Sequence, residues 1–169
     1  MATVKFQGGV MHLSGELPEL GKKIPDFCLT TTDMQVRNAA HYAGKILVLA
    51  SVPSLDTPVC DLEIRRFNSE AVALSENVRI VAVSRDLPFA QDRWCGAAGV
   101  NSVETLSDYR DGSFGKSWGV FIDELALLAR AIFVVRADGI LSYVQLVPEV
   151  TAEPDYAAAL DKIAQLSRA

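Results

Sequence analysis

The residues best placed for chemistry are two cysteines in contrasting settings: Cys60 in Pro53-Ser54-Leu55-Asp56-Thr57-Pro58-Val59-Cys60, and Cys95 in Pro88-Phe89-Ala90-Gln91-Asp92-Arg93-Trp94-Cys95. A cysteine reacts as its thiolate, so the question for each is what would stabilise negative charge. The apolar run Leu47–Val52 ahead of Pro53 predicts a buried strand, and a helical pattern begins just after Thr57. Thr57 suits the N-cap and Pro58 the first helical position, which puts Cys60 in the first turn, where unpaired N–H groups and the helix dipole favour an anion. Core packing is the competing reading, because free cysteine is commonly buried and Cys60 falls on the stripe Cys60, Ile64, Phe67, Ala71, Leu74. Asp61 would oppose a thiolate, so a compensating cation is wanted. Arg130 is the candidate: it interrupts the apolar stretch 125–135, and a charge there needs a partner or water, its other reading being an exposed strand end. On its predicted helix Cys95 lies beside Gln91 and Asp92, away from Ala90, Trp94 and Ala97, which points it toward solvent and exchange chemistry. Cys28, between Phe27 and Leu29 in a predicted strand, reads as structural.

Composition narrows the classes. The chain has 169 residues, half of them apolar, which suits one domain over 1–169. A net charge of −5 without a basic block argues against nucleic acid or an anionic membrane surface as partner. The N-terminal residues lack a signal-peptide pattern and no apolar stretch approaches about 18 residues, so a soluble cytoplasmic protein is expected. Three cysteines are few for a disulfide framework, and in a reducing compartment a disulfide would be transient and catalytic. His12 and His41 show no ligand spacing with the cysteines, and no metal or organic cofactor is expected.

The elements that must position these residues alternate between strand and helix. Gly8-Gly9 predicts a hairpin turn that puts Val4, Phe6, Met11 and Leu13 on one face, an N-terminal decoration. Then come a strand over 26–31, a helical turn closed by Gly44, the strand 47–52, a helix from Pro58 to about Ser75, and the strand 78–83. A helix over 88–98 follows, with a short strand over 103–106, a helical turn over 114–118 and the strand 131–135. Asp138-Gly139 predicts a hairpin into 141–147, and a last helix carries Tyr156, Leu160, Ile163 and Ser167 with Pro154 in its first turn. Such alternation predicts an α/β fold, a mixed central sheet flanked by helices, with chemistry where strands end and helices begin. Cys60 occupies one such junction.

At these residues the chain resembles the thiol peroxidases of the atypical two-cysteine peroxiredoxin class. Pro53, Thr57 and Cys60 match the signature P-x-x-x-T-x-x-C, and Pro53-Ser54-Leu55-Asp56-Thr57, Asp86-Leu87-Pro88-Phe89-Ala90, Arg93-Trp94-Cys95-Gly96 and Glu153-Pro154-Asp155-Tyr156 are similar to that family in order along nearly the whole chain. The resemblance implies a thioredoxin-like fold, a homodimer and reduction of hydrogen peroxide and organic hydroperoxides with electrons from thioredoxin. It makes Cys60 the peroxidatic thiol, Cys95 the resolving thiol of an intrachain disulfide, Thr57 and Arg130 stabilisers of thiolate and peroxide, and Pro53 a shield against water. Two departures stand out: Cys28 has no place in the pattern, and the segment 123–128 lacks an expected glycine. A disulfide oxidoreductase of thioredoxin type is disfavoured because no Cys-x-x-Cys occurs. The remaining alternative is a thioredoxin-like domain that binds or senses without catalysis.

Overall fold

Ile46–Ser51 and Val78–Ser84 are runs rich in β-branched and other apolar side chains, and they pair in parallel at the centre of the molecule from Ile46↔Val78 to Ser51↔Val83. The computed structural model describes residues 2–71 and 73–168. In chain order these form β1 (Thr3–Phe6), β2 (Gly9–Ser14), β3 (Leu29–Thr30), β4 (Val36–Arg37), a short 3-10 helix (Ala39–Tyr42), β5 (Ile46–Ser51) and α1 (Pro58–Ala71). They continue with β6 (Val78–Ser84), α2 (Pro88–Ala98), β7 (Glu104–Ser107), α3 (Ser113–Ser117), β8 (Phe121–Ile122), β9 (Leu127–Leu128), β10 (Ala131–Val135), β11 (Leu141–Leu146) and α4 (Tyr156–Ser167). The main sheet has seven strands in the order β11-β10-β5-β6-β7-β3-β4, parallel through β5, β6 and β7 and antiparallel outside them. This is the mixed, thioredoxin-like arrangement that the resemblance implies.

Side chains alternate across each strand, so the sheet feeds two cores. Leu47, Leu49, Val81, Val83 and Phe133 pack on one face with Phe114, Trp118 and residues of the smaller sheet β1-β2-β8-β9. Val48, Ala50, Ile80, Ala82, Ile132 and Val134 pack on the other with Cys60, Ile64 and Phe67 of α1 and with Tyr156, Ala159 and Ile163 of α4. Arg130 is two residues before Ile132 and so faces the α1 side. That register aims its guanidinium at Cys60.

Several sequence expectations shift. The hairpin turn is Gln7-Gly8, both at positive φ (50° and 85°), and Gly9 opens β2. The hairpin is no decoration, because β2 pairs with β8 and Val4 and Leu13 are core residues. The predicted strand over 26–31 shrinks to Leu29–Thr30, since the Asp26 carboxylate takes the Phe27 and Ala39 N–H groups, at 2.8 and 3.0 Å. Phe27 and Leu29 point inward, and alternation leaves Cys28 exposed, which removes its structural reading. Helix α1 ends at Ala71; Val72, within the predicted 58–75 helix, lies outside the described residues. Asp155 caps α4 by accepting from the Ala158 N–H, so Pro154 precedes the helix and is not in its first turn. The segment 123–128 closes as a β8–β9 hairpin in which Ala126 takes the left-handed conformation (φ 53°) that glycine would adopt at lower cost.

Candidate functional site

The site starts at the end of β5. Pro53 is buried, and the chain then turns through Ser54–Thr57 into α1. Asp86, just past the end of β6, clamps this turn: its carboxylate accepts from Ser54 Oγ at 2.7 Å, from the Leu55 N–H at 2.9 Å and from Ser84 Oγ at 2.7 Å. The Asp61 N–H donates to the Thr57 carbonyl at 2.9 Å, so the helix begins at Thr57 as the sequence implies. The Thr57 hydroxyl, however, donates to the Ser54 carbonyl at 3.0 Å and reaches neither a capping N–H nor Cys60. A β-hydroxyl close to its own turn finds the nearby carbonyl first.

Cys60, third residue of α1, is 0% exposed. Arg130, 1% exposed, spreads its donors over three partners: Nη2 to Cys60 Sγ at 3.2 Å, Nη1 to Glu63, and Nε to the Val150 carbonyl at 3.0 Å. Arg130 is therefore buried and paired, and the exposed-end reading falls. Burial works against its charge, but the Cys60 sulfur and the Glu63 carboxylate outweigh that and raise its pKa. Glu63 is the residue that sequence reasoning missed. It is 0% exposed, its Oε1 has no hydrogen-bond partner among the described residues, and burial pushes its pKa up to about 7 against the attraction of Arg130. The signal was present: three positions after Cys60 and four before Phe67, Glu63 lies on the buried stripe.

Cys95 stands apart from this cluster. Gln91, one turn earlier, is not at the solvent face; its amide enters the core to donate to Ser84 Oγ at 3.0 Å and to the Leu106 carbonyl at 2.9 Å. That rotation exposes Ala97 and turns Cys95 toward β7, half-buried, with Sγ 3.6 Å from Thr105 Oγ1. Burial pushes the Cys95 thiol up, opposed in part by the Thr105 hydroxyl. The two cysteine segments are joined through their neighbours: Trp94 Nε1 donates to Asp61 at 2.9 Å, and Arg65 Nη1 to the Ala98 carbonyl at 3.3 Å. All three cysteines are free thiols. Together these features make a buried sulfur beside a fixed cation, able to support a thiolate and the anionic charge of an attacking reaction. Among the described residues no group of three or more histidine, cysteine, aspartate or glutamate side chains could hold a metal ion, and no helix is long and apolar enough to cross a membrane.

Residues 19–160 match the Redoxin family. Among curated relatives, the thiol peroxidase of Bacillus subtilis (strain 168) is 46% identical over 156 residues, covering 92% of this chain and 93% of its own. That of Staphylococcus aureus (strain MRSA252) is 48% identical over 160 residues, covering 95% and 96%. Among solved structures, a peroxiredoxin-like protein from Aquifex aeolicus superposes with a TM-score of 0.92 at 37% identity over 98% of each chain. A thiol peroxidase from Chromobacterium violaceum shares the fold, with a TM-score of 0.87 at 18% identity over 100% of this chain and 99% of its own.

The clamp yields the first prediction. Asp86→Asn replaces an acceptor oxygen by a donor, so either Ser54 Oγ on Oδ1, or the Leu55 N–H together with Ser84 Oγ on Oδ2, loses its acceptor. Urea unfolding is expected to show a loss of about 1–3 kcal/mol, with faster amide exchange at Leu55; unchanged stability and exchange would deny Asp86 this role.

Proposed function

The chain belongs to the Redoxin family, among its thiol peroxidases, and on that premise we propose that Cys60 is the peroxidatic cysteine of a thiol-dependent peroxidase and Cys95 its resolving partner. The observation that carries this reading is the Arg130 guanidinium at 3.2 Å from the Cys60 sulfur in the first turn of a helix. The thiolate attacks the terminal peroxide oxygen; an S–O bond forms, the O–O bond breaks, and the departing oxygen takes up a proton to leave as water or an alcohol. Arg130 stabilises the thiolate and then the charge spreading over the peroxide oxygens, work for which a planar fork is suited. Thr57 still has hydroxyl lone pairs to accept from a peroxide O–H, and Pro53, buried at the head of the turn, keeps water from the sulfur.

Cys95 then attacks the Cys60 sulfenic acid, forming the intrachain disulfide and releasing water, and thioredoxin restores both thiols by exchange. A disulfide requires Cα atoms typically about 4.4–6.8 Å apart, while packed helices lie about 8–10 Å axis to axis. Cys60 is held on Arg130 and Cys95 faces Thr105, so bond formation demands that the first turn of α1 or the segment around Cys95 unwind. Release into water would also relieve Cys95 of the burial that raises its pKa.

The enzyme acts on hydrogen peroxide and organic hydroperoxides as a single domain over 1–169, in the cytoplasm, where thioredoxin keeps the disulfide transient. We read it as a homodimer, with Leu87 and Phe89, 53% and 68% exposed beside the Asp86 clamp, as apolar surface for the second copy. Sedimentation equilibrium should give twice the chain mass, and a monomer would overturn that assignment.

Two further outcomes test the mechanism. Cys60→Ser abolishes peroxide reduction, whereas Cys95→Ser consumes about one equivalent and stops turning over with thioredoxin; Cys28→Ser behaves as the parent. Stopped-flow oxidation of the variants decides, and turnover retained in Cys60→Ser would leave only a binding or sensing role. Hydrogen exchange on reduced and disulfide forms should show lost protection at 57–64 or 90–98, and equal protection in both forms would refute the unwinding.

A further inference from the structure

Arg130 faces two acids and carries one charge. Its Nη2 reaches the Cys60 sulfur at 3.2 Å and its Nη1 the Glu63 carboxylate, and all three residues are 0–1% exposed. A thiolate and a carboxylate on one guanidinium would leave a net negative charge in the core, which a low-dielectric interior strongly disfavours. One proton restores neutrality, and there are two places for it. Glu63 is built to take it: Oε2 serves Arg130, while Oε1 has no partner among the described residues. The surroundings press in the same direction. From the segment before α4, the Glu153 carboxylate repels negative charge on Glu63 and accepts from the Tyr156 hydroxyl at 3.2 Å, while Arg66 of α1 stacks over the Tyr156 ring at 4.4 Å. The titratable and charged groups around Glu63 are thus Arg130, just before β10, with Cys60 on its other side, Glu153 from the loop before α4, Tyr156 of α4, and Arg66 of α1 over the Tyr156 ring.

We propose that Cys60 and Glu63 share a single proton across the Arg130 guanidinium, so that the reactive Cys60 thiolate exists together with a protonated Glu63. No bond to carbon and no electron moves; a proton leaves sulfur and resides on the Glu63 carboxyl, while Arg130 stays charged in both arrangements. Glu63 is a positioning residue that acts through Arg130, and its carboxylate competes with the thiolate for the same charge. Such a pair titrates in two macroscopic steps that belong to the pair and not to either member. The inference rests on the reading of Cys60 as the reacting thiol, but it concerns where a proton sits and is measured without peroxide.

The test uses the full chain carrying Cys28→Ser and Cys95→Ser, so that Cys60 is the only thiol, and follows thiolate ultraviolet absorbance against pH. The parent should titrate in two steps, with part of the thiolate appearing in the first. Glu63→Gln should collapse these to one step with its midpoint lowered by about one pH unit, a tenfold gain in the thiolate-to-thiol ratio. Glu153→Gln, which favours the carboxylate at Glu63, should shrink the first thiolate step. A glutamate that merely held Arg130 in place would give an unchanged or raised midpoint in Glu63→Gln, because the cation would be held less well. Infrared difference spectra of the parent supply a second readout: a protonated-carboxyl carbonyl band should persist in part through the first thiolate step and vanish only with the second. A single-step thiolate titration in the parent without that band overturns the proposal. Failure of this chain to consume its one equivalent of peroxide beside an intact two-step titration would count against the peroxidase assignment instead.

Discussion

The buried guanidinium of Arg130 is the constraint to which the rest of this site answers. A cation with no water around it must be surrounded by acceptors, and here each side of the planar fork has one: a sulfur, a carboxylate and a backbone carbonyl. Those three acceptors belong to the first turn of α1, its second turn and the segment after β11. Holding them within reach sets the register of β10 against β5 and the rotation of α1 about its axis. It also explains why β10 is supported from both sides. Ser51 Oγ donates to the Ala129 carbonyl at 2.8 Å, and the β8–β9 hairpin that delivers the chain to Arg130 is pinned by Arg85, whose Nη1 donates to the Ala126 carbonyl at 2.9 Å.

A second layer of polar contacts couples the two cysteine segments without joining the sulfurs. Asp61 follows Cys60 and accepts from Trp94, which precedes Cys95; Asn68, two turns further on, accepts from the Asn101 and Ser102 N–H groups at 3.2 and 2.7 Å. Asp86 ties the Pro53–Thr57 turn to the end of β6 and, through Ser84 and Gln91, to α2. These bonds are few and sit at the rim of the second core, where Trp94, Cys95 and Ala98 are only partly buried. Opening there sacrifices a handful of hydrogen bonds and leaves the central strands intact, which is the energetic pattern of a local unfolding unit.

Much of the fold was legible because its signals are local. The strands at 46–51, 78–84 and 131–135 are apolar runs of strand length, helix 88–98 has a proline at its start and Gly99 in the left-handed conformation at its end, and Asp138-Gly139 marks a tight turn. The placement of Cys60 follows from the same signals: a buried strand, a proline-bearing turn and a helix start within fourteen positions put it in a first turn whatever the rest of the chain does. Elements that depend on partners were displaced. The 26–31 strand shrank from six residues to the two of Leu29–Thr30 because a side chain competes for its N–H groups, and the N-terminal hairpin proved integral because its apolar face needed β8, which lies over a hundred residues away.

By itself the sequence determined the alternation of strands and helices, the thiol at a helix start and the buried stripe of α1 on which Glu63 went unrecognised, all of which rest on periods of two and 3.6 residues. Arg130 stood out in the sequence as a candidate cation for Cys60, but only the tertiary structure decided that it meets Glu63 as well. Cys60, Glu63 and Arg130 are separated by up to 70 positions, and nothing local records that one guanidinium would serve both acids. The same holds for Gln91 and Cys95: a polar amide looks solvent-facing in isolation, and it turns inward only because Ser84 and Leu106 offer it partners there. Periodicity fixes which face of an element is buried, but pairing of polar groups is set by distances between elements, and those exist only once the chain has folded.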